Sequence, residues 1–180
     1  MSGAFGFWMP GRAWRVDKKL AGGGPLPDVG TYVIQEACRA QQEVAPVAVT
    51  AKELPKERPE LFNEVEEAIR WTMEFPGGAT CDGFASYARG VDRFRAEAPR
   101  GWIELDPAFI YHGIDGRTSR GRMDFPDINQ QAAQMDDFAA CILTGRQTIV
   151  PGAMGRRDIA IITAIYEAAA SGRRVVVASS

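Results

Sequence analysis

The chain has 180 residues, a formal net charge of -2 at pH 7, 46 % hydrophobic residues and 24 % charged residues. That length and composition fit one globular domain with a real core. They exclude a basic block for non-specific nucleic-acid binding, an apolar run able to span a bilayer, and the basic-then-apolar leader of a secretory signal.

Cys38, Cys81 and Cys141 are an odd set with no Cys-x-x-Cys pair. They read as buried reduced thiols, which fits a reducing, cytoplasmic compartment. A single histidine, His112, excludes a His-rich metal site, so no metal is expected.

Residues 1–13 open with the apolar stretch Gly3-Ala4-Phe5-Gly6-Phe7-Trp8-Met9-Pro10. This reads as an altered or truncated lead-in, and residues 14–180 read as one domain. Residues 14–21 are predicted as a short helical turn, and Asp28 to about Gln41 as a helix with Val29, Tyr32, Val33 and Ala37 on one side. From Val44 to Glu53, Val47, Val49 and Ala51 then alternate with Ala48, Thr50 and Lys52. Ile69, Trp71, Met73 and Phe75 alternate with Arg70, Thr72 and Glu74, the clearest period-two signal in the chain. Pro76-Gly77-Gly78 turns this strand into a second one over Ala79–Tyr87, which makes a hairpin. Further strands are predicted over Val91–Ala98, Trp102–Leu105, Phe109–His112, Arg120–Phe125 and Val175–Val177. Two helices, about Gln130–Leu143 and about Gly155–Ser171, offer Phe138, Cys141 and Ile142, and Ile159, Ile162, Ile165 and Tyr166, as faces to cover a sheet. Asn129 is the N-cap of the first, and Gly145 and Gly172 follow the two helix ends.

Two side chains invite chemistry. In Gly22-Gly23-Gly24-Pro25-Leu26-Pro27-Asp28-Val29-Gly30-Thr31-Tyr32, a carboxylate and a phenol stand four residues apart, on one face of a helix that starts near Asp28. Three glycines leave room for close approach of a ligand or of another segment. The spacing is equally that of an N-cap aspartate followed by a core tyrosine.

The segment from Trp14-Arg15-Val16-Asp17 through Gly22-Gly23-Gly24 to Asp28 and Tyr32 resembles the glucose–fructose oxidoreductase-like enzymes, the Gfo/Idh/MocA family. Val65-Glu66-Glu67, Trp71-Thr72-Met73-Glu74-Phe75, Leu105-Asp106-Pro107-Ala108, the Asn129–Asp136 stretch and Ile165-Tyr166-Glu167-Ala168-Ala169 follow in the family's order. The resemblance covers residues 12–177 and points to the family's C-terminal α+β domain. That domain is an open-faced, mostly antiparallel sheet with helices packed on one face, like the C-terminal domain of glyceraldehyde-3-phosphate dehydrogenase. The family's nucleotide-binding Rossmann domain has no counterpart here. No Gly-x-Gly-x-x-Gly follows a strand, and Lys52-Glu53-Leu54-Pro55-Lys56 does not match the family's Glu-Lys-Pro segment.

The resemblance implies Tyr32 as acid/base, Asp28 as the group that orients a sugar or tunes Tyr32, and Arg15 with Trp14 as contacts to the cofactor. It implies NADP or NAD in full-length relatives and no cofactor for this chain alone. Its implied partners are a sugar ligand, a Rossmann domain, and a second copy on the open sheet face, where Arg70, Thr72, Glu74, Thr50 and Lys52 are predicted. Three readings follow. The chain is the isolated substrate-binding and dimerisation domain of a sugar oxidoreductase, inactive by itself. Alternatively, it is a natural or engineered self-standing dimerising module with no catalytic duty, its start and the polar Glu36, Arg39, Gln41 and Gln42 having been resurfaced. The third reading is a small-molecule binding domain that keeps a sugar site around Asp28 and Tyr32 without a nucleotide.

Overall fold

The computed structural model describes residues 1–178. The elements run β1 Ser2–Gly6, a 3₁₀ turn Trp14–Val16, α1 Lys18–Ala21, a π turn Leu26–Gly30, and α2 Thr31–Ala40. Strands β2 Ala48–Glu53, β3 Ala68–Glu74, β4 Thr80–Ser86, β5 Val91–Ala98, β6 Gly101–Leu105, β7 Gly116–Thr118 and β8 Gly121–Met123 follow. The chain closes with α3 Gln130–Thr144, α4 Gly152–Ser171 and β9 Val175–Val176. The strands form one sheet in the order β8-β7-β6-β5-β1-β4-β3-β2-β9. Among the described residues every pairing is antiparallel except β1 with β4. This is an α+β fold with an open sheet.

Ser2–Gly6, inside the stretch set apart as a lead-in, is a central strand between β4 and β5. The period-two signal of β3 sorts its side chains as predicted. Ile69, Trp71 and Met73 are buried on the covered face, and Arg70, Thr72 and Glu74 alternate with them toward the open one. Against the covered face lie Val33, Ile34, Ala37 and Cys38 of α2 and Ile161, Ile165 and Ala168 of α4, in one core cluster with Val49, Cys81, Ala85 and Phe94. Burial pushes the Cys38 and Cys81 thiols up to about 12, so both stay protonated.

The open face carries rows set by the register. One row pairs Lys52 with Arg70, Arg70 with Phe84, Phe84 with Ala4, and Ala4 with Arg93. The Arg70 guanidinium lies 4.8 Å over the Phe84 ring. In the next row the Thr72 hydroxyl donates to Asp82 at 2.7 Å, and Arg95 pairs with Glu104 at 2.9 Å.

Three expectations fail. Phe109–His112 forms no strand; β7 and β8 make the small outer hairpin instead, and the 107–112 segment is held by hydrogen bonds from the Ala108 and Phe109 amides to Asp92. Ile159 is exposed, because the helical turn places it off the stripe formed by Ile161, Ile165 and Ala168 that faces the sheet. The apolar side of α3 does not cover the sheet. Cys141 alone of that helix is buried, while Met135, Phe138, Ile142 and Leu143 are exposed. Its ends are nonetheless as predicted: the Asn129 side chain accepts from the Ala132 amide at 3.0 Å, and Gly145 closes the helix in the left-handed region.

Candidate functional site

The helix that carries Asp28 does not start there. The backbone is already helical at Leu26 and winds as a π turn to Gly30, with no side-chain cap. Asp28 is therefore freed from capping, and its carboxylate bonds across the fold. Arg15 Nε donates to Asp28 Oδ2 at 2.9 Å, and the Tyr87 hydroxyl donates to the same oxygen at 2.8 Å. The Arg15 guanidinium also lies 4.6 Å over the Trp14 ring. Folding thus brings Trp14, Arg15 and Asp28 together.

Tyr32, in the first turn of α2, is 42 % exposed rather than core. It makes no hydrogen bond to Asp28. Its ring meets Phe5 edge-on with centroids 5.4 Å apart, and Phe109 lies 6.1 Å away. Partial burial pushes the Tyr32 phenol above its ordinary value, and the neighbouring Tyr111 phenol and Asp28 carboxylate push the same way. Trp14, Tyr32 and Tyr111 all remain exposed.

The glycine loop approaches another segment, not an open ligand space. Glu66 is 4 % exposed, and its Oε2 accepts from the Gly24 amide at 3.0 Å. Its Oε1 accepts from the Leu26 amide at 3.1 Å and from the Tyr166 hydroxyl at 2.8 Å. A Cβ on Gly23 would collide with the Tyr166 hydroxyl, and one on Gly24 with the Glu66 carbonyl. The backbone amide that could have cradled a phosphate is spent on Glu66, so the loop does not fit a dinucleotide pyrophosphate. Burial pushes the Glu66 carboxyl above its ordinary value against the bonds that hold it.

Its neighbour Glu67 is also buried, yet its carboxyl is held below the usual value. Burial works against that, and the Arg58 and Glu57 amides with the Arg58 guanidinium overcome it. Arg58 Nε reaches Glu67 at 2.8 Å, Nη2 reaches the Tyr87 carbonyl at 2.9 Å, and the guanidinium stacks 3.9 Å over Trp8. Beside Glu66 lies a cavity of about 380 Å³ lined by Lys18, Gly23, Glu64, Glu66 and Tyr166.

Sequence reasoning missed Tyr87 and Arg58, and it noted Glu66 and Tyr166 only as parts of motifs. Tyr87 stands 59 residues from Asp28 and Glu66 stands 42 from Gly24. Contacts of that range leave no local spacing to read. His112 sits exposed beside Asp127, 3.2 Å away, and among the described residues no group of acidic, histidine or cysteine side chains is arranged to hold a metal.

Residues 1–105 match the family described as the GFO/IDH/MocA C-terminal domain. The chain is 28 % identical over 163 residues to D-xylose 1-dehydrogenase [NADP(+)] of Haloarcula marismortui, covering 86 % of this chain and 44 % of that protein. The crystal structure of aldose-aldose oxidoreductase from Caulobacter crescentus, complexed with glycerol, superposes with a TM-score of 0.91 at 38 % identity, over 97 % of this chain and 54 % of that one. GenD2 from gentamicin A biosynthesis, in complex with NAD, shares the fold with a TM-score of 0.80 at 21 % identity, over 99 % and 55 %. The chain spans about half the length of these relatives. Its match to the family over more than half of its length, on a fold of the family's C-terminal kind, places the chain in the GFO/IDH/MocA family of oxidoreductases.

Proposed function

We propose that this chain is the substrate-binding part of an NAD(P)-dependent sugar oxidoreductase. The observation that carries the reading is the exposed Tyr32 phenol beside an Asp28 carboxylate already fixed by Arg15 and Tyr87. A sugar offers hydroxyls to both. When a nicotinamide nucleotide is bound, it supplies the hydride chemistry. This chain's own share is to hold the sugar and to move the proton of the reacting hydroxyl at the Tyr32 oxygen.

The charge arrangement favours one direction of proton flow. Every resolved influence on Tyr32 raises its pKa, so the phenol is protonated at neutral pH and serves as a donor to a carbonyl oxygen. Accepting a proton from an alcohol requires a cation beside it. Arg15 Nε is engaged with Asp28, so that cation comes from outside this chain. The glycine loop is closed by Glu66, which makes nucleotide binding the task of a Rossmann domain. The chain by itself is then inactive. The polar rows of the open face, with Arg70, Lys52 and Asp82 uncovered, suit a second copy of the chain.

The test joins the chain to the nucleotide-binding part of the Caulobacter crescentus aldose-aldose oxidoreductase and follows NADP reduction with D-xylose or D-glucose. Sugar-dependent turnover is expected, and Tyr32→Phe should lower kcat by about 10²–10⁴-fold. Turnover unaffected by Tyr32→Phe would refute Tyr32 as the acid/base.

A further inference from the structure

We infer that Tyr87 is a positioning residue: it locks one oxygen of Asp28 so that the other stands free to accept a hydrogen bond from a sugar hydroxyl. The inference rests on the reading of Asp28 as sugar-facing.

Both bonds to the Asp28 carboxylate arrive at Oδ2, from Arg15 at 2.9 Å and from Tyr87 at 2.8 Å. Among the described residues, no donor bonds to Oδ1. The Asp28 side chain is 25 % exposed, so the free oxygen is not sealed in the core. A carboxylate held at one oxygen by a single long side chain would still rotate; two donors from different elements fix its plane.

Tyr87 is suited to that duty because it cannot move. It has no exposed surface, and its ring packs against Phe7 at 5.1 Å and Phe62 at 6.1 Å between centroids. Its amide donates to the Glu67 carbonyl at 2.9 Å, and its own carbonyl accepts from Arg58 Nη2 at 2.9 Å. The Gly24 carbonyl lies 3.4 Å from the hydroxyl, so Tyr87 also touches the loop that leads into Asp28. Burial and the Asp28 charge keep the phenol protonated, hence always a donor. The Arg58–Glu67 pair thus anchors Tyr87, Tyr87 anchors Asp28, and Asp28 Oδ1 remains for substrate.

The experiment uses Tyr87→Phe, which keeps the ring and removes only the hydroxyl. The first readout needs no sugar: solvent exchange of the Arg15 Nε–H by NMR on the 180-residue chain. The Arg15 bond itself remains in this variant, but Asp28 Oδ2 loses the second donor that holds it in place against Arg15, so the exchange should speed up about tenfold. An unchanged rate overturns the positioning role even if the sugar reading stands. Asp28→Asn should speed the same exchange at least as much, and it should also speed exchange of the Tyr87 hydroxyl proton, which donates to Asp28 Oδ2. If Tyr87→Phe does not fold, a Tyr87 hydroxyl proton that exchanges as fast in the parent chain as in Asp28→Asn overturns the positioning role. The second readout is turnover of the joined enzyme. Tyr87→Phe should raise KM for the sugar about tenfold and leave KM for the nucleotide unchanged. If Arg15 exchange responds but the joined parent enzyme never turns over, the positioning holds and the sugar reading falls. If the parent turns over and both KM values are unchanged in Tyr87→Phe, the inference falls alone.

Discussion

Helices α3 and α4 carry comparable amphipathic patterns, and both close on a left-handed glycine. Their fates differ. α4 lies along β2 and buries Ile161, Ile162, Ile165 and Ala168 in the main core. α3 packs closely against no other element among the described residues and leaves Met135, Phe138, Ile142 and Leu143 open to water. It is held at its start by Gln130, whose side chain donates to the Tyr111 carbonyl at 2.8 Å, and near its end by the ion pair of Arg146 with Asp137. The difference teaches that periodicity reports which face of a helix is apolar and not what covers it. For α3, nothing among the described residues does.

The largest effect expected from this contrast is on α4. Ile165→Ala removes a fully buried side chain and should cost about 2–5 kcal/mol in chemical denaturation. A loss as small as that of an exposed residue would show that α4 is not packed on the sheet in solution.

A second contrast lies in one dipeptide. Glu66 and Glu67 are adjacent and both buried, yet their carboxyls shift in opposite directions. Glu67 is lowered in the fold, so its stabilisation is present above the ordinary value of 4.5 and is lost as pH falls through the lowered value. Glu66 is raised, so its contribution is greatest below 4.5 and is lost as pH rises through the raised value. Denaturation midpoints taken from about pH 3 to about pH 7 should show Glu67→Gln flattening the acid limb. An unchanged acid limb would contradict the role given to the Arg58 pair.

The smallest effect is on α3. Ile142, 70 % exposed, should tolerate Ile142→Gln within about 0.5 kcal/mol. A loss of several kcal/mol would mean that this face is covered in solution.

These contrasts also mark what could be read from residues alone. Strand β3 and its hairpin were legible because alternation is local and one sheet face is buried. The i, i+4 spacing singles out Asp28 and Tyr32, but in the fold Asp28 bonds to Arg15 and Tyr87 while Tyr32 packs on Phe5, and their shared role remains the proposal that the family resemblance implies. The cap reading of Asp28 failed because the π turn begins two residues earlier, at Leu26, and puts the carboxylate within reach of Arg15 and Tyr87. The purpose of the glycines was half legible. A triple glycine signals close approach, but that Glu66 and Tyr166 are what approaches depends on contacts 42 and more residues away. The uncovered state of the α3 apolar face among the described residues has no signature in the sequence, since its pattern matches that of a packed helix.

The most direct test of the sugar site is an NMR titration of the chain with D-xylose. The expected result is a set of shifts clustered on Arg15, Asp28, Tyr32 and Tyr111. Shifts confined to the Lys18–Glu66–Tyr166 cavity or to the open sheet face, or none at high sugar concentration, would contradict a sugar site at Asp28 and Tyr32.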